Sequence, residues 1–365
     1  MKNNTKTIKK ILIVDDSALM RRMLCDIINS DERFEVTDEA ANGLEAFDLL
    51  SRNIYDAVVL DVNMPKMDGI ELLRKIRKFR VRAKVIVVSN YTYEGAKVTM
   101  DALAMGALDF IQKPDKTVER SKTNFREGLL KMLDVVSNGD FPALETPEVE
   151  KRQEVEKLVQ DIKGHCRWAN GTKIVAIASS TGGPRALQAV IPYLPKELDA
   201  AILLVQHMPK GFSSSLAERL DDLSKVRVKE AEEGEEIQRG TVYIAKGGQH
   251  MNVRKAPGGK HIIRYSDEPA REGVKPSANY MYESLSDSSY DHVVCVVMTG
   301  MGSDGTAGIR ALKPKKGVYV IAQNRETSTV YGMPKSVMEA GLANVELPLE
   351  KIAQEIVLCT GVRDM

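Results

Sequence analysis

Residues 55–69 read YDAVVLDVNMPKMDG. An apolar run, Tyr55–Leu60, delivers Asp61 at its end and gives way to a loop marked by Pro65 and Gly69. A short apolar stretch bounded by turn residues is the pattern of a strand buried on both faces. The same pattern recurs outward from it. Residues 8–14, IKKILIV, run into Asp15-Asp16. Ser17 is placed to cap a helix, and Leu19, Met20, Met23, Leu24, Ile27 and Ile28 follow at helical spacing. A second strand is expected near 34–39, with a helix after Gly43. Lys84–Val88 runs into Ser89, and Ala107–Ile111 runs into Lys113-Pro114. Strands alternating with helices predict an α/β domain with a parallel sheet over residues 1–136.

From about residue 137 the character changes. SNGDFPALETPEVEKRQEVEK is polar, charged and interrupted by two prolines, so residues 137–172 read as a linker. Val155, Leu158, Val159 and Ile162 are helically spaced, which favours a solvated spacer helix over a docking site. Buried strands resume with KIVAIAS at Lys173, then ILLVQ (202–206), TVYIA (241–245), DHVVCVVMT (291–299) and GVYVIAQ (317–323). Helical patterns follow Pro184, Phe212, Pro276 and Thr306, and the helix-free stretch 241–265 predicts a β-hairpin. Residues 173–365 are therefore expected to form a second α/β domain, a doubly wound and mostly parallel sheet with a hairpin.

The 365 residues suit two domains, at roughly 100–200 residues each, with three possible. Lys and Arg number 52 against 51 Asp and Glu, a net charge of +1 that offers no bulk attraction to nucleic acid or anionic membrane. Four cysteines (Cys25, Cys166, Cys295, Cys359) lie far apart with no CxxC pair, which fits a reducing compartment. Cys25 and Cys295 fall in apolar runs and are expected to be core thiols. No apolar stretch approaches the ~20 residues of a membrane span. A soluble, cytoplasmic protein is expected.

In an open parallel sheet the carboxyl ends of the strands line one crevice. Asp15, Asp16, Asp61, Ser89 and Lys113 all fall at such ends. Each alone would be an ordinary polar strand-end residue; together they describe a site. Converging carboxylates need a cation between them, and oxygen ligands suit Mg²⁺. Asp61 could attack a phosphoryl group, with Lys113 pairing to it and Ser89 bonding its oxygens.

The second candidate site centres on KIVAIASSTGGPRAL, residues 173–187: a strand, a tight turn and a helix. It is neither GxGxxG nor a P-loop nor GxSxG, so neither a nucleotide cradle nor an α/β-hydrolase elbow is matched. His207 follows ILLVQ, and Asp304 lies in the glycine-rich loop after the strand at 291–299. Lone histidines at strand ends are usually structural, and an aspartate in GSDG is usually a turn residue. Ser180, His207 and Asp304 at three strand ends nevertheless form the layout of a hydrolytic triad.

The motifs VDDS, LDVNMPKMDG, VVSN and DFIQKP resemble those of response-regulator receiver domains, over about residues 8–135. That resemblance implies a flavodoxin-like fold and phosphorylation at Asp61. It also implies Mg²⁺ held by Asp16, Asp61 and the Asn63 backbone carbonyl with Asp15 assisting, and Ser89 and Lys113 as switch residues. STGGP, QHMPKGF, KPSANYMYESL, TGMGSDG and the IAQN…GMP of 321–334 resemble the catalytic domain of chemotaxis protein-glutamate methylesterases of the CheB type. The resemblance implies Ser180 as nucleophile beside Thr181, His207 as general base and acid, and Asp304 as its orienting group. A Met301 backbone N–H is implied in the oxyanion hole, with no cofactor for the ester chemistry. It further implies demethylation, and glutamine deamidation, of methyl-accepting chemoreceptors in membrane-bound arrays, with a chemotaxis histidine kinase as phosphodonor. A monomer is the default expectation. Ala178-Ser179 stands where the family reads Gly-Ala or Gly-Thr; register against Thr181-Gly182-Gly183 selects Ser180, and alanine disfavours a positive φ at 178. An unphosphorylated receiver is expected to cover the catalytic crevice.

Two rivals come from other classes. A receiver feeding a DNA-binding output predicts a compact basic helix-turn-helix in the second half. A dehydrogenase would use the TGGP turn as a nucleotide cradle.

Overall fold

The computed structural model describes residues 7–90, 92–114, 119–139, 167–168 and 170–363. The chain divides into two compact units, residues 1–141 and 142–365. The spacer helix expected from Val155 to Ile162 lies outside the described residues.

The first unit alternates strictly. Its strands are β1 (Lys9–Val14), β2 (Phe34–Ala40), β3 (Ala57–Asp61), β4 (Val85–Ser89) and β5 (Asp109–Gln112). Its helices are α1 (Ala18–Asn29), α2 (Gly43–Arg52), α3 (Gly69–Lys78), α4 (Tyr93–Met105) and α5 (Glu119–Asn138). All strand pairs are parallel, in the order β2-β1-β3-β4-β5, the flavodoxin-like arrangement. Ser17 caps α1 by accepting the Met20 N–H, as its sequence position suggested. Phe125, Leu129, Leu133 and Val136 on α5 recur at helical spacing and are buried against Ile11, Ile13, Val59, Ile86 and Val88. Truncating one of these, Leu129→Ala for instance, would cost roughly 2–5 kcal/mol.

The second unit carries β6 (Lys173–Ser179), α6 (Gly183–Gln188), β7 (Ala201–Gln206), α7 (Phe212–Leu223), β8 (Arg227–Glu230) and β9 (Thr241–Ile244). There follow β10 (His250–Lys255), β11 (His261–Ser266), α8 (Ala278–Ser284), β12 (His292–Val297) and α9 (Thr306–Leu312). The unit ends with β13 (Gly317–Gln323), α10 (Met333–Glu339), β14 (Val345–Leu347) and α11 (Leu349–Thr360). Seven parallel strands run β14-β13-β12-β6-β7-β9-β8, while β10 and β11 form a separate antiparallel hairpin. From β6 the chain winds one way through β7 and β9; β12, β13 and β14 build out the other side. That reversal puts a topological switch point beside β6, where ligands bind in such sheets.

Some boundaries shift from the sequence expectation. β3 starts at Ala57 and ends on Asp61 itself; β5 starts at Asp109. Of the helix-free stretch, TVYIA joins the main sheet as β9 and only residues 250–266 make the hairpin. Cys295 is fully buried, but Cys25 is only partly so, on the flank of the first core.

Candidate functional site

In the first unit, β1, β3, β4 and β5 are neighbours, so their ends share one edge. Asp15, Asp16 and Asp61 each place a carboxylate oxygen within 4.8 Å of the others. Lys113 Nζ lies 2.8 Å from Asp61 Oδ2 and 3.1 Å from Asp15 Oδ2. Asp61 is 5% exposed and Asp15 fully buried, while Asp16 is exposed. Burial pushes the Asp61 carboxyl above its ordinary value; Lys113 opposes this, but the charge of Asp15 adds to it. Burial would lower the Lys113 ammonium, yet its bonds to Asp61 and the charge of Asp15 raise it, so it stays charged. Three carboxylates against one ammonium leave a deficit of positive charge. Oxygen donors at this spacing fit a hard divalent cation such as Mg²⁺. Asn63 lies on the exposed loop two residues past Asp61. Ser89 reaches this edge, but its hydroxyl lies 2.7 Å from Thr99 Oγ1 and donates to the Gly95 carbonyl at 3.2 Å, both on α4. Thr99 was not singled out in the sequence.

In the second unit, the ends of β12, β6 and β7 lie side by side. Ser179 registers with Gln206, so Ser180 and His207 stand one step beyond a paired position. Buried Gln206 binds both: its Nε2 donates to the Ser180 carbonyl (2.9 Å) and the His207 carbonyl (3.0 Å). Its Oε1 accepts from Ser179 Oγ at 2.7 Å. The adjacent hydroxyls thus differ: Ser179 is fully buried and bonded, Ser180 part-exposed at the start of the turn. On the other side, the Ser180 N–H donates to the Thr299 carbonyl (2.9 Å), and Thr299 Oγ1 donates to the Thr181 carbonyl (2.9 Å). Gly300 permits this approach, since a Cβ there would meet Ser180 Cβ at 2.7 Å. Ala178 sits inside β6 and is not among the positive-φ residues, so its methyl imposes no strain.

Asp304 is 2% exposed and holds His207 Nε2 at 2.7 Å. Ser277 Oγ (2.6 Å) and the Asn279 N–H (3.0 Å) donate to its Oδ1, and the Ala278 N–H (2.6 Å) donates to its Oδ2. Burial alone would raise this carboxyl; the bond and charge of His207, with Ser277 and Ala278, take it below its ordinary value instead. Asp304 is therefore ionised, which puts the imidazole proton on Nε2 and leaves Nδ1 as the basic nitrogen. Nδ1 is buried and has no hydrogen-bond partner. Among the described residues no hydrogen bond joins Ser180 Oγ to the His207 ring, and none engages the Met301 N–H. The structure thus pairs His207 with Asp304 and brings Ser180 alongside through the backbone.

Two family descriptions match the chain: response regulator receiver domain over residues 11–121, and CheB methylesterase over residues 175–356. A protein of Syntrophomonas wolfei named protein-glutamate methylesterase/protein-glutamine glutaminase 1 is 42% identical over 95% of this chain and 98% of its own. A Bacillus subtilis protein named protein-glutamate methylesterase/protein-glutamine glutaminase is 41% identical over 96% and 98%. The chain belongs to the CheB methylesterase family. The crystal structure of the Thermotoga maritima CheB methylesterase catalytic domain is 44% identical with a TM-score of 0.49, covering 52% of this chain and 98% of that one.

Family membership sets aside the DNA-binding output, as does the seven-stranded sheet where a compact helical domain was required. The receiver match implies Mg²⁺ at the acidic cluster of Asp15, Asp16 and Asp61. No described helix is long and apolar enough to cross a membrane. Sequence reading missed Ser277 and Asn279, although KPSANYMYESL stood out as a motif, and it missed Gln206 beside His207. A motif with no chemistry of its own beside two that have it was the available signal.

Proposed function

We propose that this CheB-family chain is a phosphorylation-activated serine hydrolase that demethylates glutamate methyl esters on chemoreceptors, with glutamine deamidation through the same acyl-enzyme. Residues 1–136 are the receiver, 137–172 the linker and 173–365 the catalytic domain. The His207–Asp304 pair carries the proposal: a buried, fully bonded carboxylate fixes the proton on Nε2, and the unpartnered Nδ1 lies one register step beyond the β6–β7 pairing that also presents Ser180.

Ser180 passes its proton to His207 Nδ1 as Oγ attacks the ester carbonyl. Asp304 stabilises the imidazolium that forms. The tetrahedral oxyanion is met by backbone N–H groups at Met301 and in the turn through Thr181. His207 returns the proton to the departing methanol, and water, deprotonated by the same nitrogen, cleaves the acyl-enzyme. The ester chemistry as drawn needs no bound cofactor. In the receiver, Mg²⁺ would be held by Asp16, Asp61 and the Asn63 carbonyl with Asp15 assisting, and would neutralise charge on an incoming phosphoryl group. Asp61 is the acceptor, with a chemotaxis histidine kinase as donor. Lys113 pairs with the added charge, and Ser89 leaves Thr99 to bond its oxygens. The protein acts in the cytoplasm, as a monomer, on membrane-bound receptor arrays; nucleic acid is not a partner.

Methanol release from methylated receptor membranes tests the assignment. Ser180→Ala should lose activity by at least ~10³-fold, while Ser179→Ala keeps most of it. Full activity in Ser180→Ala would overturn the proposal.

A further inference from the structure

Residues 271–274, Arg-Glu-Gly-Val, form a tight turn between β11 and α8. Arg271 and Val274 exchange backbone hydrogen bonds at 3.2 and 3.0 Å, and the two central residues have φ of 53° at Glu272 and 79° at Gly273. Two successive positive φ values define the mirror-image hairpin turn, which asparagine, aspartate or glycine enters most readily at its first position. Glutamate lacks that ease. Its backbone is strained here, yet its side chain is fully engaged: Oε2 accepts from Ser303 Oγ at 2.6 Å and Oε1 from Asn279 Nδ2 at 3.0 Å.

Both partners belong to the housing of Asp304. Ser303 precedes it in the chain. The Asn279 N–H donates to Asp304 Oδ1, and Asn279 Oδ1 accepts from the N–H groups of Gly305 (3.0 Å) and Gly308 (2.7 Å). Glu272 therefore satisfies the other end of the Asn279 amide and ties the Asp304 loop to the first turn of α8. Arg271 anchors the same turn to that helix through Glu283 at 2.7 Å.

We propose that Glu272 is a positioning residue for the hydrolytic site, a clamp that holds Asp304, and through it His207, in the orientation catalysis requires. This rests on Ser180, His207 and Asp304 forming that site. Strain at 272 and clamping by its carboxylate are separable by substitution. Glu272→Gly and Glu272→Asn both suit the turn but cannot reach Ser303 and Asn279. Glu272→Gln keeps the reach, accepting from Asn279 through Oε1 and donating to Ser303 Oγ through Nε2.

In the full-length protein, methanol release should show kcat lower by about three- to tenfold in Glu272→Gly and Glu272→Asn, with KM and melting temperature unchanged or the latter raised. Glu272→Gln should stay within about twofold of the parent. Parental kcat in the Gly and Asn variants would overturn the clamp, as would loss of activity that tracks a lowered melting temperature. A Gln variant as impaired as the Gly variant would also overturn it, by assigning the effect to charge. Ser180→Ala, run alongside, separates the two ideas: residual full activity there removes the site, whereas a dead Ser180→Ala with an unaffected Glu272→Gly removes only the clamp.

Discussion

Each unit buries an aspartate at the carboxyl edge of a parallel sheet, and the two have opposite electrostatics. Asp61 has one cation and the backbone N–H of Val62, with the charge of Asp15 against it; burial wins and its pKa rises. Asp304 is buried more deeply, yet three donors besides His207 hold it, and its pKa falls. Burial depth therefore does not decide the direction of the shift; the inventory of donors does. An under-compensated carboxylate is suited to receive a cation and an electrophile. A fully satisfied one is suited to stay an anion and orient a base.

The contrast breaks first at Asp304. Asp304→Asn keeps the shape but can put the proton on the wrong imidazole nitrogen, so kcat for methanol release should fall by about 10³–10⁴-fold. A loss under tenfold would mean that Asp304 does not set the tautomer. Asp61→Asn should abolish the rise in esterase activity on adding a small-molecule phosphodonor with Mg²⁺; persistence of that rise would move the acceptor elsewhere. Removing one donor, by Ser277→Ala, should lower kcat about tenfold, in line with a hydrogen bond to a charged group. An unchanged rate would show that the helix N–H groups suffice.

The smallest effect is on stability against pH, and its sign differs between the units. Asp304 has a depressed folded pKa, so its contribution is present above the ordinary carboxylate range and is lost as pH falls through the folded value. Asp61 has a raised folded pKa, so it penalises folding above that value, and the penalty is relieved as pH falls towards the ordinary one. Asp61→Asn should therefore stabilise the receiver at neutral pH and less so in acid, when unfolding is followed without Mg²⁺. A gain that grew on acidification would contradict the raised pKa.

Much of this was legible because strands buried on both faces leave unbroken apolar runs whose last residue marks the sheet edge. Asp61, Ser89, Ser180 and His207 were found that way. The short edge strands β8 and β14 have no such run and left no signal. Nor did the sequence say that Ser89 turns towards Thr99, or that His207 presents Nδ1. Those depend on contacts between elements, and side-chain bonds such as Ser277 to Asp304 span 27 positions without any periodicity to announce them.

The position of β6 has a further consequence. It is fourth of seven strands and every residue in it is buried, so its amides can meet solvent only when the whole unit opens. Amide hydrogen exchange along Ile174–Ala178 then reports global unfolding, and the scaffold under Ser180 does not breathe by itself. Motion within this unit that admits or excludes an ester must come from the loops above that edge.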